Sequence, residues 1–263
     1  MSKEELHIFK ALQNLEPWFM DHICQIYLGK SNGKMEPEGS GFLLDVFGMK
    51  LLLTAGHVIM DGKIHNIVIP RKTSEGAFEL SGIWYPSDMN YNIGIDSDDY
   101  AYLIMQDDAY SNFIDSGYKF IKLKNIDFNH DPSSKKIYTL IGCKWRSTKI
   151  VGYDKYVKVE VLTNFGAGQF AYSDNDPLEN RIIINNQRKF LNRNKQKEIL
   201  GKLDGMSGGA IWSTSLNHDY NTNNPTIELV GVLNSYDTRF IYGTNIKRLL
   251  TKLVERNQGN FRI

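Results

Sequence analysis

The chain has 263 residues, of which 41% are apolar and 23% are charged, as is typical of a globular protein with a sizeable core. Its 31 basic and 30 acidic residues nearly cancel, which argues against a strongly basic nucleic-acid binder. Two cysteines cannot cross-link a chain of this size, and no apolar run is long enough to span a bilayer. We therefore expect a fold held by burial, with neither a nucleic acid nor a membrane as its partner.

The N-terminal segment has the pattern of a helix. Ser2 and Glu5 have the spacing of a capping box, which satisfies two free donors at a helix start. Apolar residues then recur every three to four positions, at Ile8, Leu12, Leu15 and Phe19. We predict a helix over residues 3–15 that lies outside the main fold and ends near Pro17. The segment lacks the apolar core of a secretory signal, so we expect a cytoplasmic protein.

The middle of the chain consists of short apolar runs separated by Gly, Pro, Asn, Asp and Ser. The runs are 23–28, 41–44, 50–54, 64–69, 100–105, 136–142, 156–162, 168–172, 181–184, 210–213, 228–234 and 240–242. Runs of this length, with no helical pattern between them, are typical of strands in barrels or sandwiches. Residues 108–133 have the weakest pattern, and we predict that they link two halves.

A second helix is predicted at the C-terminus. Its apolar residues form a single stripe, at Ile246, Leu249, Leu250, Leu253 and Val254. The two cysteines, Cys24 and Cys143, are predicted to be buried as small apolar side chains.

Two segments combine residue types that carry chemistry. Leu53–Val58 places His57 after small residues at the end of an apolar run, and Asp204–Ala210 frames Ser207 with glycines. A serine hydroxyl needs a neighbouring base to take its proton as it attacks, and a neutral imidazole can serve near pH 7. Glycines beside the serine let backbone N–H groups approach the oxygen that becomes negatively charged.

These segments resemble the two signature motifs of trypsin-like (chymotrypsin-fold) serine proteases. Thr54–His57 (Thr-Ala-Gly-His) is similar to the histidine motif, and Gly205–Gly209 (Gly-Met-Ser-Gly-Gly) is similar to the serine motif, in the family's order. Leu229–Asn234 is similar to the strand that pairs with substrate. The resemblance implies two antiparallel six-stranded β-barrels with the active site between them, which agrees with the run pattern.

The predicted fold class is therefore all-β, with an N-terminal and a C-terminal helix. We predict a helical extension over 1–19, a first barrel over 20–120 that carries His and Asp, and a second barrel with the C-terminal helix over 121–263 that carries Ser.

The resemblance also implies a catalytic triad. The family has an aspartate at the start of an apolar strand between the two motifs, and Asp99 leads such a run, with Asp96 and Asp98 as alternatives. In this scheme Ser207 attacks the substrate, His57 acts as base and then acid, and Asp99 orients His57. The N–H groups of Gly205 and Ser207 would form the oxyanion hole.

The family pattern further places the floor of the substrate pocket near Gly201. Its walls fall on two segments, with residues Asn234, Ser235, Tyr236 and Phe240. No aspartate falls at the floor, so a trypsin-like preference for Lys or Arg is not expected.

The sequence departs from secreted members of the family at Met206. Secreted zymogens have an aspartate there, which pairs with a newly cut N-terminus, whereas methionine cannot form that ion pair. Activation by N-terminal clipping is therefore not expected. The cysteine bridge that often flanks the histidine is also missing, with Phe42 and Val58 at those positions. In style the chain is closest to bacterial Deg/HtrA-type protease domains without a peptide-binding domain.

The serine motif also fits the nucleophile elbow of α/β-hydrolases. That family requires the order serine, acid, histidine. Only His218 follows Ser207, and no acid stands between them at a suitable distance. The order and the strand pattern exclude this alternative.

The sequence thus predicts an intracellular serine endopeptidase with no cofactor and no metal site. A protein or peptide is the expected substrate, with narrow specificity or an activating protein partner, and the resemblance suggests a role in bacterial stress or anti-phage defence. Two alternatives stay open: a non-catalytic module that binds a protein, and an effector subunit that docks through residues 3–15 or the basic run 187–197.

Overall fold

The computed structural model describes most of the chain. The described residues are 14–15, 17–29, 35–60, 66–74, 76–87, 98–130, 136–143, 164–166, 181–185, 189–191, 197–199, 203–215, 226–237 and 240–257. The predicted runs 156–162 and 168–172 and the pocket residue Gly201 lie outside these ranges.

Among the described residues, eight strands form the first sheet. They are Ile23–Gly29 (β1), Met35–Val46 (β2), Met49–Thr54 (β3), Ile67–Pro70 (β4), Ala77–Glu79 (β5), Gly82–Pro86 (β6), Ala101–Met105 (β7) and Ile121–Lys122 (β8). Seven pair antiparallel in the order β5-β4-β1-β2-β3-β7-β6, and the short β8 pairs parallel with β2. The sheet has two more strands than the six expected. The two shortest strands, β5 and β8, have only three and two residues.

The remaining strands follow later in the chain. They are Lys136–Ile141 (β9), Asn164–Gly166 (β10), Arg181–Asn185 (β11), Lys189–Leu191 (β12), Lys197–Ile199 (β13), Ala210–Ser215 (β14), Ile227–Tyr236 (β15) and Phe240–Asn245 (β16). Six of them form a second sheet in the order β10-β9-β14-β15-β16-β11, while β12 and β13 pair separately. These sheets confirm the predicted all-β fold class; the domain boundary at 120–121 stays a prediction.

In the described part of the chain, α-helices follow the first strand at three places: Gly56–Ile59 (α1), Asp107–Asp115 (α2) and Ile246–Asn257 (α3). The prediction of no helix between the strands was wrong at α2, which occupies part of the predicted linker. Its first turn holds Asp107 and Asp108, which are favourable at a helix N-terminus. Its buried residues, Ala109 and Phe113, are four positions apart and therefore lie on one face.

The N-terminal helical segment, residues 14–15 and 17–22, packs into the fold. Residues 3–13 lie outside the described part of the chain. For the residues from 14 onwards, the prediction of a helix apart from the core was wrong. Leu15 packs against the core, and Phe19 is 1% exposed. The predicted end at Pro17 was also wrong, because residues 17–22 are helical and lead directly into β1.

The largest core cluster lies between the two sheets. It includes Phe42 and Leu53 from the first sheet, Trp212 and Val232 from the second, and Phe19. The C-terminal helix α3 is confirmed and covers the cluster with the predicted apolar stripe, of which Ile246, Leu249, Leu250 and Leu253 are buried. No helix in the described ranges is both long and apolar enough to cross a membrane.

Candidate active site

His57 lies at the junction of a buried strand and a short helical turn. The β3 residues Leu51 to Thr54 are fully buried, and His57 follows within α1. The flanking Val58 and Ile59 are buried as well, whereas the imidazole is 31% exposed. Burial of its neighbours therefore fixes the backbone of His57 and leaves the ring accessible.

Asp99 meets His57 because β7 pairs with β3. The register places Thr54 opposite Ala101, so the residues just outside this pair come together. Asp99 Oδ1 accepts the backbone N–H of His57 at 3.0 Å, and Oδ2 lies 2.8 Å from His57 Nδ1. Since a carboxylate only accepts, Nδ1 carries the proton in this contact, and Nε2 of the neutral ring is free to accept one.

The neighbouring Asp98 has a different partner. Its two carboxylate oxygens accept from Arg248 of α3, from Nε at 3.2 Å and from Nη2 at 3.0 Å, and this carboxylate raises the pKa of Arg248. Asp96 lies outside the described residues. Of the candidate acids in the described chain, Asp99 is therefore the one beside His57.

Ser207 is carried by a tight loop before β14. Two successive turns form it, with Met206 N–H donating to Leu203 O and Gly209 N–H donating to Met206 O, both at 2.9 Å. The Met206 side chain is fully buried in the core of the second sheet. Within the described part of the chain, the N–H groups of Gly205 and Ser207 donate to no backbone carbonyl. These are the two donors predicted for an oxyanion hole.

The serine loop contacts the segment that carries His57. Gly208 has φ +82°, and a Cβ there would lie 2.2 Å from Thr54 Oγ1 and 2.9 Å from Ala55 N, so only glycine fits. Likewise, a Cβ at Gly39 would lie within 3 Å of both the Val58 side chain and the Ser207 carbonyl oxygen. The fold thus brings His57, Asp99 and Ser207, which are far apart in the sequence, into one region.

The predicted pocket residues divide into two groups. Ser235, Tyr236 and Phe240 are half-buried at the end of β15 and the start of β16. The Tyr236 hydroxyl donates to Asp204 Oδ1 at 2.9 Å, which ties β15 to the residue before Gly205.

Asn234 belongs to the second group, because its side chain supports the site from beneath. It is 4% exposed, so its side chain points inward, and its place on a pocket wall stays a prediction. The amide orientation that satisfies both its groups has Oδ1 accepting from the Thr244 hydroxyl at 2.9 Å and Nδ2 donating to the carbonyl oxygens of Asp99 at 3.2 Å and Val232 at 3.0 Å. The second sheet therefore holds the backbone of Asp99, a contact that the sequence pattern did not reveal.

Both cysteines are buried and free, as predicted. Burial raises the pKa of Cys143 to about 12 and raises that of Cys24 further, so neither thiol is activated as a nucleophile. Among the described residues, no three His, Cys, Asp or Glu side chains cluster in a way that could hold a metal ion.

Comparison with solved structures supports the predicted fold, whereas comparison of sequences finds no match. No family model matches the chain, and no curated protein matches its sequence. The chain is similar in structure to a thermostable serine protease, AL20, from an extremophilic microorganism, with a TM-score of 0.52 and 14% identity over 88% of this chain and 94% of that one. The chain therefore has the all-β, chymotrypsin-like fold, as predicted.

A second solved structure comes from work on coupled folding and binding of the intrinsically disordered Sesbania mosaic virus VPg protein. It matches with a TM-score of 0.45 and 13% identity, over 87% of this chain and 89% of that one. A TM-score this low supports no argument.

Proposed function

We propose that this protein is a serine endopeptidase that hydrolyses peptide bonds through Ser207, His57 and Asp99. The observation that carries the proposal is the double contact of Asp99 with the backbone and ring of His57, beside a glycine-flanked turn that presents Ser207. The chymotrypsin-like fold is consistent with this chemistry, although a fold alone does not specify a function.

In the proposed reaction, His57 Nε2 takes the proton of Ser207 as Oγ attacks the scissile carbonyl carbon. Asp99 keeps the Nδ1 proton in place and stabilises the imidazolium that forms. The carbonyl oxygen becomes negatively charged and accepts from the N–H groups of Gly205 and Ser207. The imidazolium then protonates the leaving amine, and water releases the acyl group by the same steps in reverse.

We propose that the serine loop is in its active conformation without a newly cut N-terminus. Met206 anchors the serine loop by burial in the core of the second sheet, where a charged residue would require a counter-ion. We further propose a cytoplasmic enzyme of Deg/HtrA style, with narrow specificity or an activating protein partner, acting in bacterial stress or anti-phage defence. The support for this finer statement is the sequence resemblance alone.

The proposal predicts that purified protein generates new termini in a denatured protein mixture, detected by mass spectrometry. Ser207→Ala should lower cleavage about a million-fold with the fold intact, as loss of the nucleophile does in triad enzymes. The circular dichroism spectrum provides the control for folding. Equal cleavage by wild type and Ser207→Ala would contradict the proposal, and fast cleavage of casein by the isolated protein would contradict gating by a partner.

A further inference from the structure

Ser40, in the middle of β2, is fully buried and joins three separate parts of the chain. Its N–H donates to the Ser207 carbonyl oxygen at 2.7 Å, and its hydroxyl donates to the Gly205 carbonyl oxygen at 2.7 Å. The same hydroxyl accepts the N–H of Cys143, just after β9, at 2.7 Å. Ser40 thus binds the serine loop on both sides of Met206.

The direction of these hydrogen bonds is fixed by chemistry. A hydroxyl has one proton to donate, and the backbone N–H of Cys143 can only donate. The Ser40 proton must therefore point at the Gly205 carbonyl oxygen, which is an acceptor. Both partners of the hydroxyl, Gly205 and Cys143, are buried, so water cannot replace a lost bond easily, and a lost bond leaves polar groups unsatisfied.

The bond to Gly205 restrains the peptide group that follows it. The carbonyl of this group is held by Ser40, and its N–H, which belongs to Met206, donates to Leu203 O. Gly205 itself has φ +88° and no side chain, so its backbone rotates readily unless it is held. Rotation at Gly205 would redirect its own N–H, which is one of the two proposed oxyanion donors.

We propose that Ser40 is a positioning residue of this active site. Its hydroxyl and N–H hold the serine loop in the conformation in which the Gly205 and Ser207 N–H groups face the developing oxyanion. This inference rests on the proposed function, since it assigns Ser40 a role in the same reaction. Ser40 touches neither the substrate nor the reacting atoms in this scheme, and it acts through the loop.

The test compares Ser40→Ala with a matched control, Tyr118→Phe. The Tyr118 hydroxyl is also buried and donates to a backbone carbonyl, that of Pro70, at 2.8 Å. Both variants therefore lose one buried hydroxyl–carbonyl bond, but only Ser40→Ala loses it from the serine loop. Ser40→Ala also leaves the Cys143 N–H without its acceptor. In a second variant, Ser40→Cys, a thiol replaces the hydroxyl group, and the S–H of a thiol is a weaker hydrogen-bond donor.

The first readout is labelling by a fluorophosphonate, in which the serine oxygen displaces fluoride at phosphorus. We expect Ser40→Ala to lower the maximal labelling rate about 10- to 100-fold, with little change in the probe concentration at half-maximal rate, because a misplaced loop impairs reaction more than binding. Ser40→Cys should fall between wild type and Ser40→Ala, and Tyr118→Phe should label like wild type.

The second readout is amide hydrogen exchange over residues 203–210, which does not require activity. Exchange there should accelerate at least about tenfold in Ser40→Ala but not in Tyr118→Phe, because only the first variant frees the loop. Unchanged exchange, or unchanged labelling in a loop that exchanges faster, would overturn the inference while leaving the proposed function intact. A wild type that does not label would contradict the proposed function, and exchange would still decide whether Ser40 orders the loop.

Discussion

Asp98 and Asp99 show how two adjacent, identical side chains acquire different roles. Both lie in a turn just before β7, in which the Tyr100 N–H donates to the Asp98 carbonyl oxygen at 2.9 Å. In this turn Asp99 faces His57, while Asp98 faces Arg248 on α3. The side chains of Asp98 and Arg248 are each 31% exposed, so their ion pair is of the weakly stabilising surface kind.

The two aspartates provide a matched pair of isosteric variants. Asp99→Asn should lower turnover about 10⁴-fold, because an amide favours the wrong tautomer of the imidazole in triad enzymes. Asp98→Asn should stay within about tenfold of wild type, because its exposed ion pair contributes only about 0.2 to 1 kcal/mol. Labelling rates of the two variants check this. The reverse ranking would assign the acid to Asp98.

Lys72 is a half-buried cation just after the end of β4. Its ammonium group donates to the Met20 carbonyl oxygen and lies 4.0 Å from the centre of the Tyr118 ring. Burial lowers its pKa from 10.5 to about 8, because the charged form loses hydration. Between these two values the unfolded chain keeps a proton that the folded chain has released. Stability therefore rises with pH in this window.

This linkage predicts a specific difference between wild type and Lys72→Met. The free energy of unfolding of wild type, minus that of Lys72→Met, should increase by about 2 kcal/mol between pH 7.5 and pH 9.5. Cys24 and Cys143, whose pKa values are raised, shift stability in the opposite direction, but they are present in both proteins and cancel. Urea titrations at several pH values measure the difference. A constant difference would show that Lys72 titrates at its ordinary pKa.

Among the strands and helices, the sequence predicted the ones whose apolar pattern is local. The strand runs 23–28, 50–54 and 100–105 match β1, β3 and β7 within about a residue, and the apolar stripe predicted α3. The short strands β5 and β8 were not predicted, because their pairing depends on neighbours distant in sequence.

The packing of the N-terminal helical segment against the core was not predicted, because its packing partner is distant in sequence. Trp18 and Phe19 contact Trp212 of β14, with ring centres 5.2 and 5.3 Å away. Trp212 lies five residues after Ser207, and no local pattern indicates that these aromatic rings meet. The helical pattern was visible, whereas its burial against the second sheet was not.

This packing predicts that Phe19→Ala lowers the free energy of unfolding by about 3 to 5 kcal/mol, as loss of a buried aromatic ring does. Ile83→Ala is the control at a site where the side chain is 58% exposed, and it should change stability by less than about 0.5 kcal/mol. Chemical denaturation of both variants measures the two values. Similar stabilities would show that the N-terminal segment is not docked as described.

At the scale of the whole molecule, the candidate site forms where the two sheets meet. The first sheet supplies His57 and Asp99, and the loop before β14 of the second supplies Ser207. Sequence motifs predicted these three residues, because each lies in a short pattern with a chemical reason. The motifs did not predict the contact of Ser40 with Gly205 or that of Asn234 with Asp99. Each contact joins residues more than a hundred positions apart. A glycine-flanked serine within an apolar strand was the only visible signal for Ser40.

Whether Ser207 is an activated nucleophile can be decided by a single labelling experiment. Purified wild type and Ser207→Ala are incubated near pH 8 with a fluorophosphonate probe, and the modified peptide is identified by mass spectrometry. We predict a stoichiometric adduct on Ser207 in wild type and none in the variant. Absence of the adduct from folded wild type, or equal labelling of both proteins, would contradict the assignment of Ser207 as the nucleophile.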